Sequence, residues 1–121
     1  MCIRDRLYSQ GVSLESLGIP QLDGKQNADP REVWRIFARH YYLFRGTPTR
    51  LWLDYAFGQL FGLTERLSPA NADEYYEAIS KKLATPEFLP RALFDRFNIE
   101  ALATTDNAFD SLEFHLSLIH I

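Results

Sequence analysis

The chain has 121 residues, 13 of them basic and 16 acidic, for a net charge of −3 at neutral pH. That mildly acidic balance, with the two signs interspersed, excludes the basic footprint of a nucleic-acid-binding protein. Arg, Lys, Asp or Glu interrupts every apolar stretch before it reaches bilayer-spanning length, so no membrane span is expected, and the length suits one small domain or part of a larger one.

In chain order, the first residues are expected not to be native. Met1, Cys2, Ile3, Arg4, Asp5 and the start of Arg6 can be written in codons as ATG TGT ATA AGA GAC AG, and Leu116, Ser117, Leu118, Ile119, His120 and Ile121 as CTG TCT CTT ATA CAC ATC. The two strings are reverse complements, as expected of a sequencing adapter read through at both ends of an insert. Residues 1–6 and 116–121 are therefore set aside as adapter-derived. The organisation expected between them is a helical region over 7–98 and a strand, loop and helix start over 99–115. Setting aside Arg4, Arg6 and Asp5 takes the charged residues to 11 basic and 15 acidic, a net charge of −4. Setting aside Cys2 leaves no disulfide, thiol nucleophile or thiolate ligand, and nothing in cysteine usage opposes the cytoplasm.

Leu7 to Val12 reads as the tail of a helix, and Ser13 to Leu17 as a short turn closed by Gly18. Pro20, Gly24 and polar neighbours mark a loop over 19–28. Asp29 then caps a helix with Pro30 at its first position and Glu32 at its third, a carboxylate version of the capping box. Val33, Phe37, Tyr41 and Phe44 recur at helical spacing, with Trp34 widening that face. Gly46 suits a left-handed turn, Thr47 a cap and Pro48 a first helical turn. The next helix, to about Phe61, is apolar on nearly all sides and is expected to be buried; Gly62 ends it. Ser68-Pro69 repeats the cap-then-proline signal before a third amphipathic helix lined by Ala72, Tyr76, Ile79 and Leu83. Thr85-Pro86 marks another start, and a fourth main helix runs from Pro90 to near Phe97, because proline is excluded from a helix interior.

Ile99 to Thr104 is the one expected strand, short and apolar, of the kind buried on both faces of a parallel sheet. Thr105, Asp106 and Asn107 turn away from its end, and Phe109 to His115 read as the first turns of a helix. A lone parallel strand leaves buried backbone groups unpaired at about 1–3 kcal/mol each. The physical expectation is thus a helical segment leading into one strand of a larger α/β fold.

Several stretches then carry a family resemblance. Arg39-His40-Tyr41-Tyr42-Leu43-Phe44-Arg45-Gly46-Thr47-Pro48, Arg50-Leu51-Trp52-Leu53, Phe61-Gly62, Pro90-Arg91-Ala92-Leu93-Phe94 and Asn98-Ile99-Glu100-Ala101-Leu102-Ala103-Thr104-Thr105-Asp106 together resemble the uronate (glucuronate) isomerases of the amidohydrolase superfamily. The resemblance covers nearly all of Leu7 to His115. Its most specific part is Thr104 to His115, where members carry Thr-Thr-Asp-Asp-Pro, then Asp, Leu and a final His at matching offsets. Asn107 and Ala108 stand here in place of the second Asp and the Pro. Trp52-Leu53-Asp54 stands where many members carry Trp-Thr-His.

The resemblance implies the α/β class: a fragment of a distorted (β/α)8 TIM barrel, mainly α as it stands, with 7–98 a helical insertion and 99–115 a barrel strand, loop and the start of the next helix. It implies a cytoplasmic isomerase, an intramolecular oxidoreductase of hexuronate catabolism, that interconverts D-glucuronate with D-fructuronate and D-galacturonate with D-tagaturonate. Moving a proton from C2 to C1 through an enediol-like intermediate needs a base near C2 and a cation or donors for the developing oxyanion. The family's metal ligands, a His-x-His pair and a late Asp, do not occur here; His40 and His115 lie far apart. A divalent metal, zinc, is therefore expected in the full-length parent and none in the fragment, which is expected to be inactive alone, with no catalytic or metal-binding residue. The implied partner is a hexuronate, with no nucleic acid and no membrane; a homo-oligomer is left open.

Barrel active sites form at the C-terminal ends of strands, so Thr104, Thr105 and Asp106 are the substrate-binding candidates, against the commoner role of Asp106 as a helix cap or turn residue. For His115 a structural role is favoured. Arg45 and Arg50 could hold a substrate carboxylate, against the commoner roles of carbonyl capping or a solvated surface. Trp34, Trp52, Tyr41, Tyr42, Tyr75 and Tyr76 offer a sugar-stacking surface or, at helical spacing, a core. The alternatives kept beside the isomerase fragment are a non-catalytic helical interaction module and a fragment of another amidohydrolase-superfamily hydrolase. Cooperative monomeric unfolding would favour the module, and exposed apolar surface the fragment.

Overall fold

The computed structural model describes residues 3–20 and 28–103. Among them five α-helices follow one another: α1 Ile3–Tyr8, α2 Pro30–Arg39, α3 Pro48–Tyr55, α4 Ala72–Leu83 and α5 Pro90–Arg96. Short 3-10 turns occupy Tyr41–Phe44 and Pro86–Phe88, and a π-helical turn occupies Ala56–Leu60. The chain divides into two units, Met1–Ser80 and Lys81–Ile121.

In the first unit, Ile3 to Arg6 begin α1, although the sequence sets them aside. Ile3 and Leu7 stand four apart and so share a helix face; Leu7 is fully buried and Ile3 packs on the same core. The Arg6 guanidinium donates to Leu43 O from Nε at 3.2 Å and Nη2 at 2.9 Å. The helix stops at Tyr8 rather than Val12, because Gly11 N–H returns to Tyr8 O and Val12 N–H to Leu7 O, the paired bonds that close a helix C-terminus. The same pattern closes the turn at Gly18 (φ +70), where Gly18 N–H bonds Glu15 O and Ile19 N–H bonds Leu14 O.

Asp29 caps α2 as expected, its Oδ1 accepting Arg31 N–H at 3.0 Å. Glu32 does not complete a capping box but pairs with Arg35 one turn on. Helix α2 ends at Arg39, and the 3-10 turn after His40 continues the apolar stripe: Phe37, Tyr41 and Phe44 are all buried. Ring centroids lie 5.3 Å apart for Phe37 and Tyr41, and 6.1 Å for Tyr41 and Phe57. Phe57 meets Tyr75 edge-on at 5.3 Å. These offset and edge contacts make an aromatic core joining α2, the π turn and α4.

Thr47 caps α3, its Oγ1 accepting Arg50 N–H at 3.2 Å while donating to Phe44 O at 2.7 Å. The continuous helix expected to Phe61 instead widens to π hydrogen bonding over Ala56–Leu60, before Gly62 (φ +69) ends it. Its expected burial is not found. Only Phe57 is buried, while Leu51, Trp52 and Tyr55 are 69%, 68% and 63% exposed. An all-round apolar helix needs cover on each side, and the described residues cover one.

Helix α4 begins at Ala72, later than Ser68-Pro69 suggests. The buried Asn71 side chain organises the turn: its Oδ1 accepts Ser68 N–H at 2.8 Å, and its Nδ2 donates to Arg66 O at 3.0 Å. Ala72 and Tyr75 form the buried face, whereas Leu83 is 54% exposed. Tyr76 lies beneath the Arg31 guanidinium, 4.8 Å from ring centroid to Cζ. Trp34 Nε1 donates to Ala72 O at 2.7 Å, and Arg35 grips Asp73 with Nε on Oδ1 and Nη2 on Oδ2, each at 3.0 Å, tying α2 to α4.

In the second unit, Thr85 Oγ1 donates to Lys82 O at 2.7 Å, closing the end of α4, and α5 starts at Pro90 as expected. The strand expected over Ile99 to Thr104 is not formed: residues 99–103 belong to no helix or strand, Leu102 is 60% exposed, and Thr104 lies outside the described residues. The cause is local and global at once. Asn98, at φ +50, lets α5 end with Asn98 N–H on Asp95 O and Ile99 N–H on Phe94 O, so the first strand amide is consumed by the helix end. No β ladder exists among the described residues to pair the rest.

Candidate functional site

Thr104, Thr105, Asp106 and His115 lie outside the described residues. Arg45, Arg50 and Tyr42 are placed, and they line one cleft. Its base follows from the capped start of α3: Thr47 fixes the first turn, so Arg50 and Asp54, four residues apart, stand on one helix face. Arg50 Nε donates to Asp54 Oδ2 at 2.6 Å and Nη1 donates to Tyr41 O at 3.3 Å. The Arg50 guanidinium also stacks over the Tyr41 ring, 3.8 Å from its centroid. Tyr41 OH donates to Asp54 Oδ1 at 2.8 Å, so both oxygens of Asp54 are engaged.

Burial pushes the Tyr41 phenol well above its ordinary range, and the bond to Asp54 adds to the shift. The Tyr75 phenol is raised as well, by burial first and by the charge of Asp54 second, and its hydroxyl donates to Glu65 O. Both phenols are therefore neutral donors at physiological pH. The cluster positions charge: each oxygen of Asp54 accepts a hydrogen bond, and both phenols stay protonated.

Over this cluster lies a cleft of about 210 Å³ lined by Tyr42, Arg45, Arg50, Asp54, Arg66 and Leu67. A second depression of about 310 Å³ shares Arg50, Asp54 and Arg66 and extends to Thr64, Glu65 and Tyr75. The six aromatic candidates do not form one stacking surface. Tyr41 and Tyr75 are core, Trp34 and Tyr76 are partly buried against α4 and Arg31, and Tyr42 and Trp52 are exposed. Sequence reasoning missed three cleft residues, Asp54, Arg66 and the apolar Leu67. Asp54 had a signal in its spacing from Arg50; Arg66 had none, because only the chain reversal after Gly62 brings it there.

His40 Nδ1 lies 2.8 Å from Ile36 O, one helical turn back, and donates to it. Among the described residues no group of three or more His, Cys, Asp or Glu is placed to hold a metal ion, so these donors do not fit the divalent metal that the resemblance implies. Nor is any described helix long and apolar enough to cross a membrane.

Aromatic core, Arg50–Asp54 ion pair and open cleft thus make up a helical scaffold among the described residues. Residues 14–120 match the family described as glucuronate isomerase (UxaC), and the chain belongs to that family. It is 55% identical over 112 residues to a uronate isomerase of Caulobacter vibrioides (strain NA1000 / CB15N), a match covering 93% of this chain and 23% of the relative. A uronate isomerase of Xanthomonas euvesicatoria is 54% identical over 113 residues, covering 93% and 24%. Among solved structures, the glucuronate isomerase from Caulobacter crescentus is similar at 54% identity with a TM-score of 0.86, covering 95% of this chain and 24% of that one. The chain therefore spans about a quarter of the length of the relatives it matches.

Proposed function

We propose that this chain is a helical segment of a uronate isomerase that interconverts D-glucuronate with D-fructuronate, and D-galacturonate with D-tagaturonate, in the cytoplasm. The observation that carries this is the family match across residues 14–120, joined to structural similarity with a glucuronate isomerase at more than half identity. The open face of α3 supports it: Leu51, Trp52 and Tyr55 suit a helix covered by further polypeptide of the same protein. In this reading residues 99–104 pair into a (β/α)8 barrel once neighbouring strands are present. Thr104, Thr105 and Asp106 then approach the hexuronate from a strand end. The base near C2 and the ligands of a divalent metal, zinc, come from polypeptide beyond this chain.

A chimera tests the proposal. Residues 14–115 replace the matching segment of the Caulobacter uronate isomerase, and conversion of D-glucuronate to the ketose is followed. The chimera is expected to turn over, and the 121-residue chain alone to show neither turnover nor tight zinc binding. A chimera that folds and binds metal yet leaves D-glucuronate untouched would overturn the assignment.

A further inference from the structure

We infer that the cleft over the Arg50–Asp54 pair binds a small oxyanion, a molecule bearing one carboxylate or phosphate. Three arginines line its roughly 210 Å³, Arg45, Arg50 and Arg66, against one carboxylate, Asp54. Asp54 is engaged on both oxygens, by Tyr41 OH and Arg50 Nε, and so balances Arg50 alone. Among the described residues, no ion pair engages Arg45 or Arg66. The cleft therefore carries an excess of two positive charges, and guanidinium groups sharing a small volume repel unless an anion lies between them. The planar fork of arginine matches carboxylate and phosphate oxygens.

The base of the cleft is already built. The Arg50 side chain is only 15% exposed, held by Asp54, by Tyr41 O and by the Tyr41 ring, so it needs little ordering on binding, whereas Arg45 and Arg66 are exposed. Tyr42, 62% exposed, lines the same cleft. A volume of this order is the scale of a small acid and not of a polymer. Glu65 lines the adjoining depression and not this cleft. None of this rests on the isomerase reading.

The test is a titration of the ¹⁵N-labelled 121-residue chain, at constant ionic strength set with chloride, with inorganic phosphate, D-glucuronate and D-glucose in turn. Phosphate, D-glucuronate or both are expected to give saturable shifts centred on Tyr42, Arg45 and Arg66, and the anion that acts identifies the source. The neutral sugar is expected to give none. Arg45→Gln with Arg66→Gln should weaken binding roughly tenfold or more, while Arg91→Gln, on exposed α5, leaves it unchanged. Absence of saturable shifts with either anion overturns the inference, as does equal response to D-glucose or undiminished binding by the double variant. Tyrosine and tryptophan fluorescence of the same variants provides the second readout: the anion response should vanish while the unfolding transition stays in place.

Discussion

Tyr41 is the residue on which the first unit turns, because its ring closes the aromatic core while its hydroxyl reaches the half-exposed Asp54. Removing only that hydroxyl, in Tyr41→Phe, is expected to cost about 1 kcal/mol in urea unfolding, since the ring contacts persist and Asp54 keeps Arg50. The pH dependence has a definite sign. A phenol whose pKa is raised in the folded state binds its proton more tightly there, so its stabilisation is complete below the unfolded value near 10 and is lost as pH rises through the folded-state value. Unfolding midpoints measured at mildly and strongly alkaline pH should fall for the parent chain, and fall less steeply for Tyr41→Phe. A parallel fall in both proteins would remove Tyr41 as the source.

Each helix boundary here comes from a few atoms, which makes the elements separately testable. Thr47 joins two of them, accepting from Arg50 N–H at the start of α3 and donating to Phe44 O at the end of the preceding turn. Thr47→Ala is expected to destabilise by about 1 kcal/mol, with Thr47→Ser recovering most of it, as thermal denaturation would report. Between α2 and α4, Asp73 receives a two-pronged grip from Arg35, and that hydrogen bonding holds its carboxyl below the ordinary value. A lowered carboxylate pKa stabilises above the unfolded value near 3.8, and the contribution disappears as pH falls through the lower folded value. Asp73→Asn should therefore flatten the acid limb of the stability profile, its effect reduced by salt because the pair is solvent-facing. An unchanged acid limb would show the pair to be inconsequential.

For the molecule as a whole, the informative surface is α3. Leu51, Trp52 and Tyr55 lie open on one helix, an apolar grouping of the kind that soluble monomers seldom leave bare. The 121-residue chain is expected to associate with rising concentration in sedimentation velocity runs. Leu51→Lys with Trp52→Glu should reduce that association without lowering the unfolding midpoint, because neither side chain is buried. A chain monomeric at high concentration, with this face intact, would instead support the self-sufficient helical module weighed at the outset.

The sequence by itself determined the local punctuation and the kinship. Asp29, Thr47, Pro30, Pro48 and Pro90 set helix starts through their own side chains and rings, and Gly18, Gly46 and Gly62 set the stops through positive φ, all within a turn of where they act. Motif order carried the family. Tertiary structure decided what depends on distant partners: that Asn71 and not Ser68 organises the start of α4, that α3 is bare on one side, that Arg66 joins Arg45 and Arg50, and that Ile99 gives its amide to α5. A helix closes its own hydrogen bonds and can be read locally, whereas a parallel strand exists only with neighbours. For that reason the helices of this chain were legible residue by residue, and its one expected strand was not realised among the described residues.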